Sequence, residues 1–394
     1  MASVQTALAD PLDLVGSADP GTPGFNAMAV ALDGIAYLGS WGGRYQCPGL
    51  GVRLFDIHDP AAPISLGNAA AYHGATAEHV AALHLDTPAF SGNVLLAGIQ
   101  RCEGGSGSPA GLALWDVTNP SSPSELSFFS TGGRVLGVHE FTVRAHGDRW
   151  LAYLAVPNSE VSDRTGDLRI VDITDPRNPV EIEDWGAHRD AGLPVGFGDA
   201  CAPWCRGTIP DAYLHSVALS PDGRLAYLSY WDLGVLVIDV SEPTAPRNVG
   251  RFAEPRSDEG NTHSVSLTRD GKLMLVGDET AAPPWGGLRL VDVSDPSAPL
   301  QLGTYETPDA AAGIRGDIYA HSIHNPLADD RDPSRAYVAW YGDGIRLLNI
   351  GDPNQPTELA EWLPPRNGMI WNVAFAGDLL VAGDISNGLF ILRR

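Results

Sequence analysis

One segment recurs six times along the chain, and this repetition constrains the fold more than any other feature. Each copy has a run of apolar, often β-branched residues, then an acidic or amide residue, then a turn rich in proline. The copies read GVRLFDIHDPAAP, GLALWDVTNPSSP, DLRIVDITDPRNP, GVLVIDVSEPTAP, GLRLVDVSDPSAP and GIRLLNIGDPNQP. Their aligned polar residues are Asp56, Asp116, Asp172, Asp239, Asp292 and Asn349. We interpret these residues as turn-orienting groups rather than catalysts, because such a side chain accepts hydrogen bonds from the following backbone amides.

A further pair of strands precedes each copy, as in HSVALSPDGRLAYLSYW, which begins at His215. Its Pro-Asp-Gly turn is typical of a β-hairpin, because glycine adopts a positive φ without steric cost. The remaining short strand follows the proline turn, as in QLGTY. Four short strands in each unit, without a helical period, indicate the blade of a β-propeller.

A seventh, shorter copy, MIWNVAFAGDLLVAGDISNGLFILRR, ends at Arg394 after its third strand. The segment from Asp10 to Ser17 looks like the strand that follows the proline turn in the other copies, so it can supply the missing one. We therefore predict an all-β fold with a single domain over 1–394. It is a seven-bladed β-propeller of four-stranded blades, closed by the N-terminal strand completing the C-terminal blade.

Over nearly the whole chain, this pattern resembles the LVIVD-repeat family of β-propellers. The resemblance implies the propeller fold and says almost nothing about activity. In that family the first position of the inner strand is commonly Asp or Asn, so histidine at this position would be a departure from the family pattern.

Charge and cysteine content narrow the class of protein. The formal net charge is −23, which argues against nucleic acid and anionic membrane partners because no basic stripe exists to neutralise phosphates. No apolar run reaches the length of a membrane helix.

The cysteines are Cys47, Cys102, Cys201 and Cys205. Two disulfides are expected, with three pairings open, and they favour a secreted or periplasmic protein in its mature form, without signal peptide. Free thiols in a cytoplasmic protein are the alternative.

Histidine dominates one position of the inner strands. Alignment by apolar alternation places one residue of each blade there: Asn26, His79, His139, His215, His263, His321 and Asn372. These side chains should converge around the channel, and a divalent Fe, Cu or Zn ion bound by His79, His139, His215, His263 and His321 would explain the convergence. His324, Glu78 and Glu140 are candidates for supporting roles. A polar channel filled with ordered water is the alternative.

Carotenoid cleavage oxygenases and nitrous oxide reductase also hold metals with histidines on a seven-bladed propeller, which supports a metal site here by analogy of architecture alone.

The loops on the same face as the histidines carry candidate substrate-binding residues: Trp41, Arg44, Arg101, Glu160, Trp231, Asp232, Trp285 and Trp340. Two loops there, 186–212 and 307–320, are long enough to act as lids or binding loops.

The sequence thus favours a metal-dependent enzyme that acts on a small, partly apolar molecule at the mouth of the channel. We name His215, His263 and His321 as its catalytic residues, and favour oxidoreductase or oxygenase chemistry over hydrolase or lyase chemistry. One alternative is a secreted propeller that serves as a binding scaffold without catalysis. Another is a metal-free lyase, isomerase or hydrolase that uses these histidines as general acid and base.

Overall fold

In the computed structural model the described residues are 12–394, except 43–46, 103–106, 133–134, 202–204, 206, 208, 256–257, 259 and 366. The regular secondary structure of the described part is almost entirely β-strand, with three helices of one turn each. Its first strand is β1 (Leu14–Ala18).

One sheet has eight strands and consists of two four-stranded halves. The first half comprises β2 (Asn26–Leu32), β3 (Ile35–Ser40), β4 (Val52–Asp56) and β5 (Ile64–Ala69). The second comprises β6 (Ala75–Asp86), β7 (Ser91–Arg101), β8 (Gly111–Asp116) and β9 (Ser124–Ser130). A single residue pair, Ser40 with Ala77, joins the halves.

The other large sheets have four antiparallel strands each and are separate from one another. The next sheet has β10 (Phe141–His146), β11 (Arg149–Ala155), β12 (Leu168–Asp172) and β13 (Val180–Trp185), with α1 (Ser159–Asp163) between β11 and β12. The loop after β13 contains α2 (Ala187–Ala191), the small strands β14 (Gly196–Phe197) and β15 (Asp211–Ala212), and a 3-10 turn at Gly198–Cys201.

Four further four-stranded sheets complete the described structure. One has β16 (Leu214–Leu219), β17 (Leu225–Tyr230), β18 (Gly234–Asp239) and β19 (Arg247–Phe252), with a 3-10 turn at Trp231–Leu233. The next has β20 (Thr262–Leu267), β21 (Leu273–Asp278), β22 (Leu288–Asp292) and β23 (Leu300–Tyr305), followed by α3 (Pro308–Ala311). Then come β24 (Pro326–Ala328), β25 (Arg335–Trp340), β26 (Gly344–Asn349) and β27 (Thr357–Trp362). The last strands are β28 (Ile370–Ala376), β29 (Leu379–Asp384) and β30 (Gly388–Arg393).

The prediction of an all-β propeller is confirmed, but the structure shows five separate four-stranded sheets, not seven. The other two expected blades share the eight-stranded sheet because β3 and β6 approach closely enough to pair at Ser40 and Ala77. Strand β1 pairs antiparallel with β30, so the N-terminal strand lies at the edge of the C-terminal sheet.

Burial explains the apolar pattern of the repeat. In β18, every residue but the last is buried, whereas most residues of β5 and β27 are exposed. The core lies between neighbouring sheets: one cluster contains Leu151 of β11 and Leu228 of β17, and another contains Leu275 of β21 and Ala336 of β25. The sequence of a strand that is buried on both faces is a continuous apolar run, and this is the pattern that the repeat shows.

The recurring acidic or amide residue orients the turn that follows it, as predicted. In each copy its side-chain oxygen accepts a hydrogen bond from the backbone amide two residues later, for example Thr118 N to Asp116 at 2.9 Å and Gly351 N to Asn349 at 3.0 Å. The hairpin turn after β16 also forms as expected, because Gly223 adopts a φ of 74°.

Two disulfides are present, Cys47–Cys102 and Cys201–Cys205. The first links the loop after β3 to the end of β7, and the second lies within the long loop between β13 and β16. They suggest an extracellular or periplasmic protein. Within the described residues, no helix has the length and apolar character needed to cross a membrane.

Candidate functional site

The candidate site is built on an irregularity that the inner strands share. In β16, β20 and β28 the pairing register shifts by one residue, so His215, His263 and Trp371 have no direct partner across the hairpin. The same two-against-one arrangement holds His139, since His139 N donates to Ala155 O while Ala155 N donates to Glu140 O. His324 and Asn325 face Ala339 in the same way. Such β-bulges turn a side chain out of the regular alternation.

The bulges define one row of residues, which we call the bulge row. In β2 and β6 two residues again face one: Ala27 and Met28 face Gly39, and Glu78 and His79 face Gly98. Taking the first residue of each bulge, the bulge row is Ala27, Glu78, His139, His215, His263, His324 and Trp371.

Rings of the bulge row touch from one sheet to the next. The ring centroids of His139 and His215 are 4.2 Å apart, those of His215 and His263 are 4.1 Å apart, and those of His263 and His324 are 4.2 Å apart. Trp371 continues the row at 4.5 Å from His324. The Nε2 atoms of His139 and His215 approach to 2.7 Å. Imidazoles that lie in, or just before, four consecutive inner strands therefore share one space inside the protein.

Membership of this row differs from the sequence alignment at four positions. In the sheet of β24 the histidine in the row is His324 rather than His321, because the preceding loop extends further and the inner strand begins only at Pro326. His79 is the second residue of its bulge, next to Glu78.

The two expected asparagines bind backbone instead of joining the row. Asn372 donates to Ala29 O at 2.8 Å and accepts from Ala29 N at 2.7 Å, so it ties β28 to β2. Asn26 donates to Ile385 O and accepts from Arg53. In both strands the bulge changes which residue faces the cluster, so the asparagine assigned by apolar alternation does not face it.

Three glutamates surround the imidazoles. Glu78 lies 3.8 Å from Nδ1 of His139, and Glu140 lies 4.0 Å from Nδ1 of His79. Glu279, which follows β21, lies 3.9 Å from Nε2 of His263 and 4.0 Å from Nε2 of His324. Glu140 can face the site because β10 begins only at Phe141. Glu279 was not predicted as a site residue, since nothing in the sequence distinguishes it from other acidic loop residues.

Burial governs the electrostatics of this cluster. Removal from water raises the pKa of Glu78 to about 8 and that of Glu279 to about 7, and it raises the pKa of Glu140 well above its usual value. The same desolvation lowers the pKa of His79 and of His324 to about 3, and that of His139 to about 4. The imidazoles are thus neutral near pH 7, which is the form that binds metals.

Hydrogen bonds orient individual rings. His139 Nδ1 lies 3.2 Å from Gln100 Oε1, and His324 Nδ1 lies 2.5 Å from the carbonyl oxygen of Trp371. In both rings the Nδ1–H is therefore the donor that these oxygens accept, and Nε2 keeps its lone pair. By contrast, the Nδ1 atoms of His215 and His263 are buried without a hydrogen-bond partner among the described residues.

Tyr341 supports Glu279. Its hydroxyl donates to Oε1 of Glu279, and its ring packs on His324 at 4.8 Å. The backbone of Tyr341 has a φ of 27°, which is strained for a residue of this size. The protein therefore tolerates an unfavourable conformation that brings this hydroxyl to the carboxylate.

Aromatic rings cover the histidines. Trp231 lies 5.1 Å from His215 and is stacked on Tyr213, and Tyr319 is stacked on Tyr341. Of the expected substrate-binding residues, Trp231 is thus beside the site, and Trp41 is linked to it through Trp371 at 6.0 Å.

The other expected substrate-binding residues lie in different surroundings. Glu160 accepts hydrogen bonds from the backbone amides of His188 and Arg189, and Asp232 accepts one from the amide of Asp211. Arg101 donates to the carbonyl oxygen of Gly132. Arg44 lies outside the described residues.

Trp285 and Trp340 pack with His321 in a second group. Trp285 meets the His321 ring edge-on at 5.5 Å, and the indole N–H of Trp340 donates to His321 O. His321 Nδ1 lies 2.7 Å from Asp343, and the ligand atoms of Asp309 are also near. His321, in the loop before β24, is therefore held by the carboxylate of Asp343 between β25 and β26, apart from the other predicted histidines.

Two sets of side chains in the main cluster have the spacing of metal ligands. Ligand atoms of Glu140, His215 and His263 lie within 4.8 Å of one another, and so do those of His263, Glu279 and His324. Among the described residues, no arginine or lysine forms an ion pair with Glu78, Glu140 or Glu279. Buried carboxylates without such partners and imidazole nitrogens without hydrogen bonds fit a bound transition metal.

Comparison with known proteins concerns the repeat and the fold. The LVIVD repeat model matches residues 161–185, 215–254 and 281–307. No curated protein matches the sequence significantly. Among solved structures, the chain is similar to the WD40 repeats of RRP9, with 14% identity over 97% of this chain and 99% of that chain and a TM-score of 0.59. It is equally similar to U3-55K, with 14% identity over 98% of this chain and 99% of that chain and a TM-score of 0.59. At such identities the likeness concerns the fold alone: the chain is a β-propeller that carries LVIVD repeats.

Proposed function

We propose that this protein is a metal-dependent enzyme whose centre is formed by His139, His215, His263 and His324. The observation that supports it best is the meeting of these four imidazoles, in or just before consecutive inner strands, with three buried glutamates that form no ion pair with an arginine or lysine of the described residues. A set of neutral imidazoles and carboxylates suits Fe, Cu or Zn. We favour redox chemistry on Fe or Cu over hydrolysis or lyase chemistry on Zn.

When bound, such a metal would activate dioxygen or water, or polarise a carbonyl group. The contribution of the chain is to prepare the ligands. Gln100 and the Trp371 carbonyl hold two rings with Nε2 unprotonated. Glu78 and Glu279 lie where they can accept from imidazole N–H groups or compensate the charge of a cation. Trp231 and Tyr341 exclude water from one side of the cluster.

The proposed substrate is a small, partly apolar molecule. Trp231, Tyr341 and Trp371 contact the histidine rings, so an apolar body would gain contact area there. A substrate with high negative charge is disfavoured by the glutamates and by the net charge of −23.

We also propose seven blades, with each half of the eight-stranded sheet acting as one blade. Contacts between inner strands support this count, since β2, β6, β10, β16, β20, β24 and β28 meet in that order and β28 also contacts β2. The disulfides support secretion or a periplasmic location.

The test of the metal centre is elemental analysis of the purified protein, with His215→Ala and His263→Ala as variants and His146→Ala as the control outside the cluster. We expect Fe, Cu or Zn in the wild type and in the control, and its loss from both variants without loss of the folded circular dichroism spectrum. Dioxygen consumption with small aromatic and alkene compounds, before and after removal of the metal by a chelator, then tests the redox assignment.

A wild-type protein that contains no transition metal, and takes up none from solution, would contradict the metal proposal. In that event the binding scaffold becomes the better interpretation. If zinc is bound and dioxygen is not consumed, only the redox assignment fails.

A further inference from the structure

We propose that the centre holds two metal ions, one on each side of His263. This inference rests on the proposed metal site and extends it. The first ion would lie between Glu140 and His215, and the second between Glu279 and His324. Both ions would be within reach of His263.

The number of ligand-bearing side chains exceeds what one ion can use. Zinc takes four ligands, and the other first-row metals take up to about six. The cluster contains five imidazoles and three carboxyl groups: His79, His139, His215, His263, His324, Glu78, Glu140 and Glu279. Even if Glu78 and His79 only orient their neighbours, the remaining six side chains would fill the sphere of a single ion and leave no open position, whereas two partly filled spheres would keep positions open for a substrate.

The geometry divides the ligands into two sets rather than one. Glu140 and His215 belong to the first set, Glu279 and His324 belong to the second, and only His263 is common to both. His139 extends the first set, because its Nε2 lies 2.7 Å from Nε2 of His215. One carboxylate therefore stands on each side.

His263 would serve both sets as a bridging imidazolate, with one ring nitrogen bound to each ion and the ring N–H proton released to solvent when the metals bind. Its Nε2 lies 3.9 Å from Glu279, on the side of the second ion. Its Nδ1 is buried and makes no hydrogen bond within the described structure. The ring itself lies between the rings of His215 and His324, at 4.1 and 4.2 Å.

The negative charge of the glutamate ligands also supports two metal ions. As metal ligands, the three glutamates would be ionised and would carry more negative charge than one divalent ion supplies, and no arginine or lysine of the described residues pairs with them. Burying an uncompensated carboxylate is costly, so a second divalent ion would stabilise the cluster. Ions on opposite sides of a bridging imidazolate, each at about 2.0–2.1 Å from its nitrogen, would be about 6 Å apart, which still allows magnetic coupling through the ring.

The experiment is a titration of the full-length, chelator-treated protein with cobalt(II) chloride, followed by optical and electron paramagnetic resonance spectroscopy. We expect two equivalents bound by the wild type and magnetic coupling between them. Glu140→Gln and Glu279→Gln remove one carboxylate from opposite sides while keeping the side-chain shape, so each should bind one equivalent without coupling. Glu242→Gln, at an exposed turn, is the control and should bind two.

Binding of a single equivalent by the wild type would overturn the two-metal inference and leave the proposed metal-dependent function intact. Binding of none would overturn both. If either glutamine variant still binds two equivalents, the assignment of the carboxylates to separate ions is wrong. Should one variant fail to fold, the wild-type stoichiometry and the other variant still decide the question.

Discussion

At the scale of single residues, the cluster combines groups that are individually unfavourable in a protein interior. Glu279 is buried between two imidazoles, and Tyr341 accepts a strained backbone to reach it. Neither feature stabilises a fold by itself. Such concentrations of strain and desolvation are typical of functional sites, where a bound ligand compensates them.

Removing the Tyr341 hydroxyl tests whether it positions Glu279 for a metal. In Tyr341→Phe we expect the affinity for cobalt(II) to fall about tenfold or more, because loss of a hydrogen bond to a residue beside a metal typically weakens binding by that amount. The measurement is competition against a chelator of known affinity. Tyr305→Phe is the matched control, since the Tyr305 hydroxyl in the outer strand β23 donates to Glu358 in the outer strand of the next sheet, β27. Equal affinity in both variants would show that Tyr341 is only a packing residue.

At the scale of strands and turns, the repeat aspartate orients the turn that follows it in successive sheets. Hydrogen bonds from the Ser241 side chain and backbone amide lower the pKa of Asp239 below its ordinary value. An aspartate with a lowered folded-state pKa stabilises the protein above its unfolded pKa of about 3.9, and this stabilisation is lost as the pH falls through the folded-state value.

Asp239→Asn therefore has a pH-dependent effect on stability. We expect the variant to be less stable than the wild type at pH 7, and the difference to shrink as the pH falls from about 5 to below about 3, because asparagine does not titrate. Urea unfolding midpoints measured across this range check the prediction. Asp148→Asn, at an exposed position, is the control for removing a surface carboxylate and is measured over the same range. A difference between Asp239→Asn and wild type that does not change with pH would contradict the role assigned to the charge of Asp239.

The β-bulges of the inner strands determine which residues form the site. A strand without a bulge presents alternate residues to one face, which is the rule that the sequence alignment used. Each bulge adds one residue, so the residue turned toward the cluster is set by hydrogen-bond pairing rather than by apolar alternation.

At the scale of the whole molecule, β1 joins the C-terminal sheet to the first repeat. It pairs with β30, and Gly16 packs directly against the backbone of Pro60 in the turn before β5. A side chain at residue 16 would overlap the Pro60 carbonyl oxygen.

Gly16→Val should consequently destabilise the molecule by about 1–3 kcal/mol, the usual cost of overpacking. Faster amide hydrogen exchange in β30 is also expected, since that strand would lose its outer partner. Chemical unfolding and exchange measured by mass spectrometry check both. Leu14→Val, at an exposed position of the same strand, should stay within about 0.5 kcal/mol of the wild type. Unchanged exchange in Gly16→Val would mean that β1 contributes nothing to ring closure.

The amino-acid sequence by itself determined the repeated strands, the acidic turns and the propeller class, because these depend on local apolar period and turn chemistry. It also identified His139, His215 and His263, whose strands carry the histidine at the first residue of the bulge. Only the tertiary structure decided that His324 joins them rather than His321, that Asn26 and Asn372 tie neighbouring strands, and that Glu279 and Tyr341 reach the cluster from loops. The physical reason is that bulges and loop conformations depend on contacts between distant segments, which leave no periodic trace along the chain.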